Sequence, residues 1–243
     1  MTIRIFDDYQ TLSRATARVI AGVIRTKPSA LICVASGDTP RGTFGEFVKI
    51  AGETKLDLSN VTFIGLDEWI GISSDNPGSC GRFIRDNLLD LLPLKENQIH
   101  VFDGMTNDPE ASCRKMDERI ASHGGIDCIL VGIGLNGHVG LNEPGTSPDL
   151  YCHVSELAEE TRLVGQKYFQ QETMLTKGIT VGLKHVLEAK TAILIANGSR
   201  KSAIIKRTIE GPITPEVPST ILHKHPNSFI FVDREAADGM DKV

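Results

Sequence analysis

His138 stands in a glycine-rich stretch, GIGLNGHVGLNEPG (132–145), with Asn136 two residues before it and Glu143 five residues after it. An imidazole titrates near neutrality, so it can both accept and donate a proton. A carboxylate within reach fixes its tautomer and raises its basicity. Glycines let backbone come close to a ligand. A second acid, Asp67, follows the apolar run VTFIGL (61–66) and opens the DEW of LDEW. At the end of a buried strand, a carboxylate can be tuned for proton abstraction. The bland alternative for Asp67 and Glu68 is a pair of carboxylates capping the next turn, and Trp69, the only tryptophan, suits packing.

Two further stretches have the chemistry of anion sites. In SGDTP (36–40), backbone N–H groups, Ser36 and Thr39 would meet an anion at a helix N-terminus. In GSRK (198–201), Lys201 adds a full positive charge at the start of a helix, although a solvated helix lysine explains it equally well.

GIGLNG also fits G-x-G-x-x-G, the pattern of a dinucleotide loop. That loop must open directly into a helix, so that a pyrophosphate rests on the helix N-terminus. Gly140, Pro144, Gly145 and Pro148 interrupt any such helix, so no nicotinamide or other cofactor is expected. A metal is not expected either. His138 lacks a second histidine at helical spacing, and His223 and His225, which alternate as on one strand face, offer only two donors.

Elements must carry these residues. Leu12, Ala15, Val19, Ile20 and Val23 recur at helical spacing and predict a helix over roughly 8–26. ALICVA (30–35), VTFIGL (61–66), IHVF (99–102), IDCILV (126–131), TAILIAN (191–197) and SFIFVD (228–233) read as strands. A helix is expected over 39–52, with Thr39 as cap and Pro40 at its first position. Others are expected over 78–92, with Ser79 near the start and Pro93 as the stop, over 107–125 from a cap at Asn107 or Asp108, and over 159–169 and 198–211. Continuous apolar strands alternating with helices imply an α/β fold: a Rossmann-like open, mainly parallel sheet with helices on both faces, in a single domain over 1–243. SGDT, DE (67–68), NGH (136–138) and GSRK then all fall at carboxyl ends of strands, the edge where such sheets bind ligands. They should converge on one crevice.

Composition narrows the partners. The 243 residues are 40% hydrophobic and 23% charged, ordinary for a globular chain. A net charge of −5 without a Lys/Arg block argues against a nucleic-acid partner. No run approaches the length of a membrane span, and MTIRIFDDYQ lacks the apolar core of a signal peptide. The five cysteines form no C-x-x-C pair, so a reduced, cytoplasmic protein is expected, with Cys33 and Cys128 buried in strands.

With these motifs the chain resembles the glucosamine-6-phosphate deaminase/isomerase family, whose superfamily includes 6-phosphogluconolactonases. The likeness runs nearly end to end through SGDTP, LDEWIGI, GIGLNGHVGLNEPG, GITVGLKHVL and GSRK, and is most specific in LDEW with NGHVGLNEP. NPGSC (76–80), CHVSEL (152–157) and GITVGLK (178–184) look closest to bacterial proteins described as galactosamine-6-phosphate isomerases. The resemblance implies an enzyme of amino-sugar catabolism that converts an aldose to a ketose with loss of ammonia, on a small sugar phosphate. A homo-oligomer is compatible with it.

The resemblance also implies roles. Asp67 would be the base moving a proton between C2 and C1, and His138 would open the sugar ring, assisted by Glu143. Asn136 matches a position that is aspartate or asparagine in the family, and would orient His138 or bind a hydroxyl. The phosphate would be held by Ser36, Gly37, Thr39, Lys201 and Lys167. Lys167 matches an arginine elsewhere, so the charge is kept without the bidentate fork. Asp38 departs from the small residue usual there. A carboxylate aimed at a phosphate dianion is repelled, so Asp38 is expected to cap the following helix or to meet a substrate hydroxyl.

Two alternatives compete. Lactone hydrolysis, as in 6-phosphogluconolactonases, would not need Asp67 to abstract a carbon-bound proton. A non-catalytic sugar-phosphate sensor would normally carry a helix-turn-helix arm ahead of the domain. With the first strand expected near residue 30, there is no room for one.

Overall fold

A strand whose side chains alternate between two apolar faces needs cover on both. The chain supplies it by interleaving helices with strands. The order is β1 (Thr2–Phe6), α1 (Tyr9–Thr26), β2 (Leu31–Val34), α2 (Asp38–Thr54), β3 (Thr62–Gly65), β4 (Asp67–Trp69), α3 (Cys80–Asn87), β5 (Ile99–His100), α4 (Pro109–Ser122), β6 (Cys128–Val131), β7 (His153–Glu156), α5 (Glu159–Gly165), β8 (Lys177–Thr180), α6 (Leu183–Glu188), β9 (Ala192–Ala196), α7 (Ser202–Glu210) and β10 (Ser228–Asp233). The computed structural model describes residues 1–240.

Among the described residues, seven strands pair in parallel in the order β1-β10-β9-β6-β2-β3-β5. Alternation along β2 shows why its run is wholly apolar. Leu31 and Cys33 enter one core with Met116 and Ile120 of α4 and Ile204 and Ile205 of α7. Ile32 and Val34 enter the other with Leu12 and Ile20 of α1 and Phe44 and Phe47 of α2. The open, mainly parallel sheet covered on both faces is therefore the architecture. All five cysteines are buried and unbridged, Cys33 and Cys128 within strands. No helix among the described residues is long and apolar enough to cross a membrane.

Local chemistry sets the helix starts. Asp8 caps α1 by accepting from Thr11 N (2.7 Å), Ser79 caps α3 through Arg82 N (3.1 Å), and Asp108 caps α4 through Ala111 N (2.8 Å) with Pro109 at its first position.

Several expectations need correction. The first strand is β1, not the run near residue 30. It is an edge strand, largely exposed and broken by Arg4, so it carries no apolar run. Helix α2 starts at Asp38 with Gly37 at its cap, which puts Thr39 inside the helix and Pro40 third. Proline is tolerated there because first-turn N–H groups have no helical acceptor. Helix α3 ends at Asn87, well before Pro93, and a 3-10 turn follows at Leu89–Leu91. His223 and His225 share no strand: His223 lies in the 3-10 run Pro218–Lys224 and bonds Thr208 O, while His225 follows the run and bonds Ala189 O. Finally, a second sheet, antiparallel in the order β4-β8-β7, was not anticipated.

Candidate active site

The junction of the two sheets sets Asp67. Leu66 N donates to Val34 O in the central sheet (3.0 Å), and Leu66 O accepts from Val181 N beyond β8 (2.8 Å). The next residue, Asp67, therefore leaves one sheet and opens the other, opposite Thr180. It is only 8% exposed, and its Oδ1 has no protein hydrogen-bond partner. Burial, and after it the negative charge of Glu68, push its pKa up to about 7, against a smaller downward pull from the Cys80 thiol.

Glu68 has the opposite situation. It accepts from Trp69 N (2.9 Å), Ser79 Oγ (2.6 Å), Cys80 N (2.9 Å) and Gly81 N (2.9 Å), at the first turn of α3. Burial raises its pKa, and those donors restrain the rise. Two adjacent acids thus divide: one ties down a helix start, and the other is left facing a cavity.

The GIGLNGH turn positions His138. A Cβ on Gly134 would lie 2.5 Å from both ring nitrogens of His138, so only glycine leaves room for the imidazole there. Nδ1 is 3.0 Å from Thr161 Oγ1 and 3.5 Å from Glu143 Oε2, which leaves Nε2 as the nitrogen available for proton exchange. Glu143 is buried behind the ring rather than on the cavity wall. It accepts from Asn136 Nδ2 (2.9 Å) and Ala158 N (3.3 Å). Burial works to raise its pKa, but His138, Thr161 and Asn136 outweigh that and hold it below its ordinary value. Asn136 Oδ1 accepts from His138 N (3.1 Å). The asparagine therefore fixes both the histidine's backbone and the carboxylate behind the ring.

One end of the cavity forms around the start of α2. Gly37 has φ of 111°, a conformation that favours glycine, and it caps α2, whose first residues Asp38, Thr39 and Pro40 line the cavity. Thr39 Oγ1 donates to Asn197 Oδ1 (2.7 Å), tying this turn to the end of β9. Lys201 Nζ donates to Ile133 O (2.6 Å), and burial, followed by the charges of Lys167 and Arg200, pulls its pKa down to about 8. Lys167 Nζ donates to Asp38 Oδ2 (2.7 Å) and lies 4.7 Å over the Tyr168 ring. Asp38 therefore does not cap α2 with its side chain; it pairs with Lys167 and, at 3.8 Å, with Arg41.

Ser36, Gly37, Thr39, Asp67, Asn136, His138, Lys167 and Lys201 all line one cavity of ≈ 170 Å³, against ≈ 20 Å³ for a neighbouring hollow, so a molecule larger than a few waters belongs in the first. Of the residues expected at the site, only Glu143 stands off the wall. Sequence reasoning missed Thr161, Cys80 and Tyr168. Thr161 lies in the first turn of α5, and nothing in its spacing ties it to a histidine 23 residues earlier.

Among the described residues, one group of three potential metal donors, Asp117, Cys152 and His185, lies elsewhere, within 4.8 Å of one another. They form a hydrogen-bonded cluster, Asp117 Oδ1 lying 2.7 Å from His185 Nε2 and accepting from Cys152 N (3.1 Å).

Residues 8–231 match the family model described as glucosamine-6-phosphate isomerases/6-phosphogluconolactonase. The chain belongs to this family. A glucosamine-6-phosphate deaminase of Thermoanaerobacter pseudethanolicus is 37% identical over 238 residues, 98% of this chain and 94% of the relative. One from Clostridium botulinum is 35% identical over 242 residues, 99% of each chain. The solved structure of a monomeric glucosamine-6-phosphate deaminase superposes with a TM-score of 0.94 at 34% identity, covering 98% of this chain and 99% of the other. The 6-phosphogluconolactonase of Trypanosoma brucei superposes at 0.78 with 20% identity over 98% of each chain, a likeness of fold alone.

Proposed function

We propose that the chain isomerises and deaminates a hexosamine 6-phosphate to the ketose 6-phosphate and ammonia, as an enzyme of amino-sugar catabolism. One observation carries this reading. A buried carboxylate with its pKa near 7 shares a cavity with a restrained imidazole and with a helix start flanked by two lysines. The names of the relatives agree with it.

Chemistry assigns the parts. His138 Nε2 takes the proton of the anomeric hydroxyl and returns one to the ring oxygen as the C1–ring-oxygen bond breaks, giving the open aldehyde. Glu143, held ionised behind the ring, stabilises the imidazolium that forms in between. Asp67 removes the proton on C2, leaving an enolamine, and a proton is delivered to C1. The resulting C2 iminium adds water and expels ammonia, leaving the ketone. Ser36, Gly37, Thr39, Lys201 and Lys167 are assigned to the phosphate. Every residue invoked lies on one chain.

Lactone hydrolysis breaks no carbon–hydrogen bond and would not need Asp67 to abstract a carbon-bound proton, and a sensor has less reason to keep Asp67, His138 and Glu143 together. Glucosamine and galactosamine 6-phosphates differ only at C4, so the test offers both side by side and follows ammonia and ketose phosphate. Release of both products from at least one epimer is expected. Release from neither, or hydrolysis of 6-phosphogluconolactone instead, overturns the proposal.

A further inference from the structure

We infer that Asp38 is a positioning residue that stands in for the substrate's phosphate, holding Lys167 at the anion end until an incoming phosphate takes the lysine over. The inference rests on reading this end of the cavity as the phosphate site.

The two lysines there are held differently. Lys201 Nζ donates to a neutral carbonyl, Ile133 O, with only the smaller, non-contact influence of Glu160 to offset its charge. Lys167 is the one met by a carboxylate, 2.7 Å from Asp38 Oδ2. The pair joins residues far apart in the chain, the first residue of α2 and the 3-10 turn Gln166–Tyr168 that follows α5. That turn is braced: the Lys167 ammonium lies 4.7 Å over the Tyr168 ring, and the Tyr168 hydroxyl reaches 3.3 Å from where a Cβ on Gly37 would be. Lys167 is thus held beside the start of α2 by two contacts, of which only the ionic one is open to exchange.

Asp38 projects from the turn whose N–H groups favour an anion. Its carboxylate and a bound phosphate compete for one ammonium and repel each other. Both partners are about half exposed, Lys167 47% and Asp38 62%, so the pair is weak and easily exchanged. A phosphate brings more charge and more acceptor oxygens than a carboxylate. Exchange therefore favours the phosphate, with an affinity reduced by the strength of the pair it breaks. An exposed pair of this kind is worth about two- to five-fold in an equilibrium constant.

The test titrates inorganic phosphate, by calorimetry, into the parent, Asp38→Asn, Lys167→Met and the double variant. Asp38→Asn should bind phosphate about two- to five-fold more tightly. In the Lys167→Met background that gain should shrink, since there is no lysine left to release. With a turned-over hexosamine phosphate, Asp38→Asn should lower KM rather than raise kcat. Unchanged or weaker phosphate binding by Asp38→Asn overturns the inference, as does an equal gain in both backgrounds or no phosphate binding by any of the proteins. If neither hexosamine phosphate is turned over while phosphate binding tightens as stated, the exchange stands and the assigned reaction falls. If turnover is found and neither binding nor KM moves, the inference falls alone.

Discussion

Two nearly enclosed aspartates sit at opposite edges of the central sheet, and their surroundings differ in sign. Asp127, 3% exposed, lies just before β6 at the amino edge. It accepts from Lys27 Nζ (2.8 Å), Lys190 Nζ (2.6 Å) and Leu31 N (2.9 Å). Asp67, 8% exposed, lies at the carboxyl edge with an unpartnered oxygen and Glu68 as its charged neighbour. Burial penalises both carboxylates. At Asp127 the lysines and the backbone amide overcome that penalty and hold the pKa below its usual value. At Asp67 Glu68 adds to it and the Cys80 thiol offsets only a small part, so the pKa rises to about 7. The amino edge is built for stability. The carboxyl edge keeps a destabilised, basic carboxylate where ligands bind.

The sharpest way to break this contrast is Asp67→Asn, which keeps the shape and removes the base. Turnover should fall by roughly 10²–10⁴-fold, the usual share of one positioned acid–base group. Inorganic phosphate should still bind as to the parent, since the anion end is untouched. Exchange of the C2 proton with solvent at the parent rate would remove Asp67 from its assigned role.

The same variant tests the destabilisation itself. A folded-state pKa near 7, against 3.8 for an ordinary aspartate, means the folded chain holds a proton between about pH 4 and 7 that the unfolded chain has lost. Below pH 4 both states are protonated and Asp67 makes no difference. Above pH 7 the folded state carries the buried charge at full cost. Asp67→Asn should therefore match the parent's stability near pH 4 and exceed it increasingly up to pH 7, by at most about 4 kcal/mol. Urea unfolding at pH 4, 5.5 and 8 reads this directly. A gain that is equal at all three values would mean that Asn packs better, and that the parent's charge is not the cause.

Much of this edge was legible in the sequence because its parts end buried strands. An apolar run closed by SGDT, by DE or by the NGH loop locates the edge of a parallel sheet, and Gly134 and Gly37 mark where backbone and ring must come close. What stayed hidden depends on partners remote in sequence. HVSE of β7 is polar and half exposed, and it becomes a strand only because Lys177–Thr180 lies beside it. Thr161 reaches His138 only once α5 packs across the cavity. The Asp38–Lys167 pair spans 129 residues, and the helix cap expected of Asp38 went instead to Gly37. The DE dipeptide could not show which acid ties down a helix start and which faces the cavity, since Ser79, Cys80 and Gly81 decide it.

At the amino edge the corresponding variant is Asp127→Asn. It keeps the volume and one oxygen for Leu31 N, so its effect reports the loss of the carboxylate's charge toward Lys27 and Lys190. Those lysines are 34% and 57% exposed, so water can take over much of their solvation and the loss falls short of a fully buried pair. About 2 kcal/mol is expected near neutral pH, a drop of about 4–8 °C in Tm, with activity per folded molecule unchanged. The pH dependence should run opposite to that of Asp67. Because the folded-state pKa of Asp127 lies below 3.8, its contribution is complete above that value and is lost as pH falls through the folded pKa. Parent and variant should therefore differ most near neutrality and converge only in strong acid. A variant as stable as the parent at pH 7 would mean that the two lysines are solvated independently of Asp127, and that this edge owes its stability to the two cores alone.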